Sequence, residues 1–184
     1  MQAKDYGYDL EANLALLKLY QFNPSYLTVS AVSKILLKAL TNLPHSDFVL
    51  CKCLLSHEIL EDPTIKSIQY LHDLMETCRF KNFWSKVHEL GDLVRSVAGF
   101  EDSVRKFACH VIGITYQHIQ EETLCELLGL VDENAVNQWI AKNGWKSGDH
   151  GYILISNQDD QIKTRKITEK IDLESVASIM AQCF

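Results

Sequence analysis

Six cysteines, at positions 51, 53, 78, 109, 125 and 183, and seven histidines are the side chains best suited to covalent or metal chemistry. Cys53 and His57 stand four apart. On one helix that spacing puts a thiolate and an imidazole on the same face, as a structural zinc site needs. No second pair of ligands accompanies them, and Cys51 diverges from Cys53 around a helix, so these cysteines read as small buried hydrophobes. Cys109-His110 places a nucleophile beside a base, but adjacent helical residues point about 100° apart and do not meet. Gly144-Trp145-Lys146-Ser147-Gly148 has the residue types of a phosphate loop. It lacks the four residues between glycines, and a strand rather than a helix should follow it. GxSxG, HExxH and GxGxxG do not occur. The sequence therefore points to no catalytic residue, no metal and no cofactor, and the expectation is a binding protein rather than an enzyme.

The elements that would position a binding surface are mostly helical. A hydrophobic fraction of 47% and a charged fraction of 23% in 184 residues are those of an ordinary folded chain. Three prolines and eight glycines are too few for the turns of an all-β sandwich. No CxxC pair and no stapled framework surround the cysteines, which favours a reducing compartment. Met1-Gln2-Ala3-Lys4-Asp5 opens without the apolar run of a signal peptide, and no stretch approaches the ~18 apolar residues of a membrane span. The expected location is the cytosol, with no membrane partner.

Apolar residues recur at helical spacing in Asp9–Gln21 (Leu10, Leu14, Leu17) and Thr28–Leu40 (Val32, Ile35, Leu36), and Asn23-Pro24 and Pro44 supply the stops. Ser46 or Asp47 is placed to cap a third helix running to about Glu58. Asp62-Pro63 is a strong start for a fourth reaching Cys78. Lys81–Leu90, a short turn between Gly91 and Gly99, and a helix opened by Asp102 or Ser103 complete about six amphipathic helices. Successive helix pairs suggest a HEAT-like or TPR-like stack over residues 1–115, with an irregular bundle as the alternative. After Tyr116 the pattern shortens. Glu121–Leu128 and a helix capped by Asp132 and ended by Asn143-Gly144 precede two strands, Trp145-Lys146 and Tyr152–Ile155, around a Gly- and Asp-containing loop. Helix, turn, helix and hairpin describe a winged-helix-like module with a C-terminal helix over residues 116–184.

Several stretches resemble the k subunits of eukaryotic translation initiation factor three across essentially the whole chain. They are Tyr8-Asp9-Leu10-Glu11-Ala12-Asn13-Leu14-Ala15, Leu17 to Pro24, Ile35 to His45, Leu50-Cys51-Lys52-Cys53, Gly99 to Phe107 and Gly113 to Ile119. The resemblance implies a PCI-like fold of helical repeats followed by a winged helix. It implies a non-catalytic scaffold that binds other subunits of the factor, subunit l among them, and meets the small ribosomal subunit through the complex. Members of that family carry an additional helical segment ahead of the residues matching Gln2–Tyr8, and this chain reads as a short or truncated form of them.

Three surfaces are candidates for partners. Trp145, Tyr152 and Leu154 could share one exposed hairpin face, where aromatics concentrate binding energy, although packing on their own helices competes with that role. The strand Tyr152–Ile155 is expected at the margin of a small sheet, where unpaired backbone groups could extend into a neighbour. Lys163, Arg165, Lys166 and Lys170 form a basic strip for RNA or an acidic protein, with a solvated face as the alternative. The rival function is a winged-helix nucleic-acid adaptor. Charge weighs against it, because residues 116–184 hold eleven acidic against six basic side chains and the presumed recognition helix has only Lys142. Direct RNA contact is therefore expected to be weak.

Overall fold

The computed structural model describes residues 7–148, 151–156, 176–177 and 180–181. Helix α1 (Leu10–Phe22) begins where Asp9 Oδ1 accepts from the Ala12 N–H at 3.0 Å, and it ends at Asn23, before a 3₁₀ turn over Pro24–Tyr26. Helix α2 (Val29–Leu40) is the hub of the helical part. Its residues from Ile35 to Leu40 are all buried, and it packs against α1, α3 (Asp47–Cys53) and α5 (Pro63–Glu76). A helix buried on that much of its circumference, Lys38 included, is enclosed by neighbours.

The helix expected from Ser46 to Glu58 is two, α3 and the single turn α4 (His57–Leu60). Gln21 Nε2 donates to the Leu54 carbonyl at 2.8 Å and Leu55 turns into the core, so the ladder ends there. Ser46 makes no side-chain cap, and Asp47 is buried and accepts instead from Asn42 Nδ2 at 2.6 Å. Helix α5 starts as the sequence implies. Asp62 Oδ1 accepts from the N–H groups of Thr64 and Ile65, with Pro63 at the first helical position. It stops at Glu76, two residues short of Cys78, because Cys78 takes a left-handed φ of 56°. The Arg79 N–H then reaches Leu74 O and the Cys78 N–H reaches Met75 O, a Schellman closure built without glycine.

Helix α6 (Phe80–Glu89), the short α7 (Gly91–Arg95) and α8 (Phe100–Thr115) follow. Helix α8 opens before Asp102 and Ser103. Gly99, at φ 71°, stands at its N-cap, Ser103 Oγ donates back to the Gly99 carbonyl, and Asp102 accepts from Arg105.

The chain then forms β1 (His118–Gln120), α9 (Glu121–Leu128), α10 (Glu133–Asn143), β2 (Lys146–Ser147) and β3 (Tyr152–Leu154). The three strands make one antiparallel sheet in the order β1-β3-β2, with Ile119 opposite Ile153 and Lys146 opposite Leu154. The structure is thus mostly helical, a helical stack followed by a winged-helix-like arrangement. Strand β1 has no sequence signature of its own, since three residues become a strand only by pairing with a segment more than 30 residues away. Its presence moves Tyr152–Leu154 from the expected margin of the sheet to the centre.

Helices α9 and α10 both close on left-handed glycines, Gly129 and Gly144. The first is also the seat of a latch between the two parts of the chain. The Trp84 indole N–H of α6 donates to Leu127 O at 2.9 Å, and Arg105 Nε of α8 donates to Leu128 O at 3.2 Å. The Arg105 guanidinium lies over the Trp84 ring, 5.1 Å from its centroid, while Glu101 and Asp102 hold it from its own helix. A Cβ at Gly129 would fall 2.4 Å from the indole, whereas one at Gly144 would meet nothing within 4 Å. Two similar substitutions should therefore part ways in urea unfolding. Gly144→Ala should cost about 1–2 kcal/mol for its left-handed backbone. Gly129→Ala should cost upwards of about 3 kcal/mol, because the indole must move and leave its carbonyl partner. Equal losses would show that the latch contributes little.

Candidate protein-interaction surface

The outer face of the sheet follows from its register. Side chains alternate along β3, and Ile153 is 2% exposed and Ile155 9%, whereas Tyr152 is 44% exposed and Leu154 half-buried. The cross-strand neighbours of the outward pair are His118 and Lys146 beside Leu154 and Gln120 beside Tyr152, all three exposed. Gln120 Nε2 donates to the Tyr152 hydroxyl at 3.0 Å and ties the two strands together on that face.

Trp145 does not join them as an exposed anchor. It follows the left-handed Gly144, and its N–H reaches Ile140 O, which is the Schellman position whose side chain ordinarily folds back on the last helical turn. The indole is accordingly half-buried against the core. Of the three hairpin candidates, Tyr152 and Leu154 face out together and Trp145 packs on its own module. The strip Lys163, Arg165, Lys166 and Lys170 lies outside the described residues.

The margins of the sheet are β1 and β2, with β3 between them. The Ile155 N–H reaches Gln117 O and the Gly148 N–H reaches Tyr152 O, so odd residues of β3 bond β1 and even residues bond β2. By the antiparallel alternation, His118 and Gln120 direct their backbone N–H and C=O groups away from β3.

On α10 the exposed side chains Asn134, Asn137 and Gln138 are uncharged, and Lys142 rests over the Trp139 ring at 4.5 Å. The recognition position of a winged helix is thus nearly bare of free cations among the described residues.

The thiols and imidazoles do not assemble as reactive pairs. Cys53 ends α3 and His57 begins α4, so the helical face they were to share is broken. Cys109 is buried and His110 exposed, on different aspects of α8. Burial pushes the Cys109 thiol up to about 11, and burial together with the Asp47 carboxylate pushes Cys51 up to about 11. Near Cys51, burial first and then Asp47 hold the Tyr8 phenol well above its ordinary value, although its hydroxyl closes no well-formed hydrogen bond. One grouping escaped the sequence reading, although His-x₃-Glu on a predicted helix signals it. His72 of α5 has Nδ1 3.8 Å from Asp73 Oδ1 and Nε2 3.5 Å from Glu76 Oε1. Its ring is buried and stacked on Phe48 at 4.0 Å. The two carboxylates flank different ring nitrogens, so they do not converge with the imidazole on one shared lone pair.

Comparison with known proteins adds an independent line. Residues 26–166 match the model of the CSN8/PSMD8/EIF3K family. The chain is 54% identical to a Xenopus laevis protein and 53% identical to a human one over 180 residues, 98% of this chain and 83% of each relative. A Culex quinquefasciatus protein is 52% identical over 182 residues, 99% of this chain and 82% of its own length. All three are named "Eukaryotic translation initiation factor 3 subunit K".

The two faces of β3 should respond differently to charge. Ile153→Asp with Ile155→Asp should cost more than about 3 kcal/mol by burying unpaired carboxylates, whereas Tyr152→Asp with Leu154→Asp should cost about 1 kcal/mol. Thermal melts followed by circular dichroism separate the outcomes, and unfolding by both pairs would mean that the sheet is covered on both sides. A second expectation concerns the thiols. At pH 8 a thiol reagent should modify exposed Cys53 and Cys78 quickly and reach Cys51 and Cys109 only on unfolding. Because the folded-state values of Cys51 and Cys109 are raised, their contribution to stability is complete below the unfolded thiol value of about 8.5. It is lost as pH climbs towards about 11. Replacing both by Ala should flatten that alkaline slope, and an unchanged slope would refute the assignment.

Proposed function

The chain belongs to the CSN8/PSMD8/EIF3K family, and from that membership we propose that it serves as a non-catalytic scaffold subunit of translation initiation factor 3, acting in the initiation of protein synthesis. The observation that carries this reading is identity above 50% along nearly the whole chain to relatives bearing the subunit K name. Residues 1–115 act as a helical-repeat domain and 116–184 as a winged-helix module, the latch at Trp84 holding one against the other. Other subunits of the factor, subunit l among them, are its direct partners. The small ribosomal subunit is reached through the complex, in the cytoplasm.

The geometry supports protein as the direct ligand. The outer sheet face offers Tyr152 and Leu154, and the margin of β1 offers backbone groups that a neighbouring strand could pair. Nucleic acid would have to bind a module whose helix α10 keeps Lys142 over its own tryptophan. The basic strip from Lys163 to Lys170 is a secondary contact for RNA or an acidic partner.

A tagged chain expressed in eukaryotic cells should co-precipitate the subunits of the factor, identified by mass spectrometry. Tyr152→Asp with Leu154→Asp should reduce that recovery several-fold while the fold persists. In parallel, labelled RNA and DNA oligonucleotides should bind the isolated chain more weakly than about 10 µM at 150 mM salt, within the range of non-specific association. Failure to recover the factor would overturn the scaffold reading. Submicromolar, steeply salt-dependent oligonucleotide binding would turn it towards a nucleic-acid adaptor, with Lys163, Arg165, Lys166 and Lys170 the first residues to replace.

A further inference from the structure

Between α6 and α9 the surface opens into a groove of about 680 Å³, a volume suited to a few side chains of a ligand. Its apolar elements are Cys125 and Leu130, both half-buried, and Val131, fully exposed at the turn into α10. Its rim carries Glu121, Glu122 and Glu126 of α9, and His88 of α6 closes its other side. Lys81 of α6 answers Glu126 at 2.5 Å, and among the described residues no cation pairs with Glu121 or Glu122. The same two carboxylates also line a second hollow beside Gln120 and Gly151. Glutamates in the first turn of a helix are commonplace, since its dipole favours them. A fully exposed valine and a half-buried leucine in the same groove are a separate observation, and they ask for an apolar side chain in the ligand.

We propose that this groove binds a basic amphipathic segment of a partner protein, its Lys or Arg side chains meeting Glu121 and Glu122 and an apolar residue covering Leu130 and Val131. The sign of the rim excludes a phosphate backbone and selects a cationic peptide, with charge setting the encounter rate and specificity and the apolar contact slowing release. This contact is additional to the sheet surface proposed above and involves different side chains.

The probe is a fluorescein-labelled 16-residue helical peptide with Lys on its polar face and Leu at i, i+4 positions, titrated onto the full chain at 50 mM salt and read by anisotropy. Glu121→Lys with Glu122→Lys should weaken binding about tenfold, and Val131→Ser at least threefold. Glu11→Lys with Glu58→Lys, the same change in net charge on exposed residues of α1 and α4, should leave it unchanged. A peptide with Glu in place of Lys should not bind. The proposal is overturned if the wild-type chain does not bind the probe, if the α1/α4 reversal weakens binding as much as the groove reversal, or if Val131→Ser has no effect. A tenfold gain in affinity on reversing Lys163, Arg165, Lys166 and Lys170 to Glu would also overturn it, because the chain's own strip would then be the occupant. Circular dichroism melts of each variant show that losses are not unfolding.

Discussion

The arrangement of this chain depends on how one helix end is finished. The last carbonyls of α9 have no partner within the helix and would be costly to bury bare. They are met from the helical stack, by the Trp84 indole at Leu127 and the Arg105 guanidinium at Leu128. The positive end of that arrangement suits the negative pole of the helix. Gly129 lets the ring come within van der Waals reach of the backbone, and Lys81 with Glu126 adds an exposed ion pair on the same pair of helices. Apolar burial alone would hold the two parts together without fixing their angle. Two directional donors aimed at successive carbonyls supply that orientation.

Once α9 is seated, the sheet is largely determined. Strand β1 leads directly into α9, so the latch also places the strand that β3 must join. Strand β3 then lies between β1 and β2 with Ile153 and Ile155 turned to the core. A slip of one residue would exchange them for Tyr152 and Leu154, and the loss of two buried isoleucines opposes that. The outer face is what remains: a tyrosine, a half-buried leucine and polar neighbours.

The side chains with chemical potential serve packing in this fold. Cys51 and Cys109 are buried and held protonated, and His72 spends its ring on Phe48. Burial is the main cause that raises both thiols.

Helix positions, the caps at Asp62 and Asp132, and the change of pattern after Tyr116 were legible in the sequence. These features arise from period and from bonds spanning two to four residues. The resemblance to the k subunits was legible for a different reason, being carried by whole runs of residues rather than by any one property. The break of the third helix at Leu54 was not legible, because the group that ends it, Gln21, comes from 33 residues upstream. Nor was β1, which exists only in its pairing, and with it went the central place of β3. Which hairpin side chains face outward was likewise decided by the tertiary structure. Alternation divides a strand into two sets, but only the position of α9 against α6 and α8 determines which set meets the core.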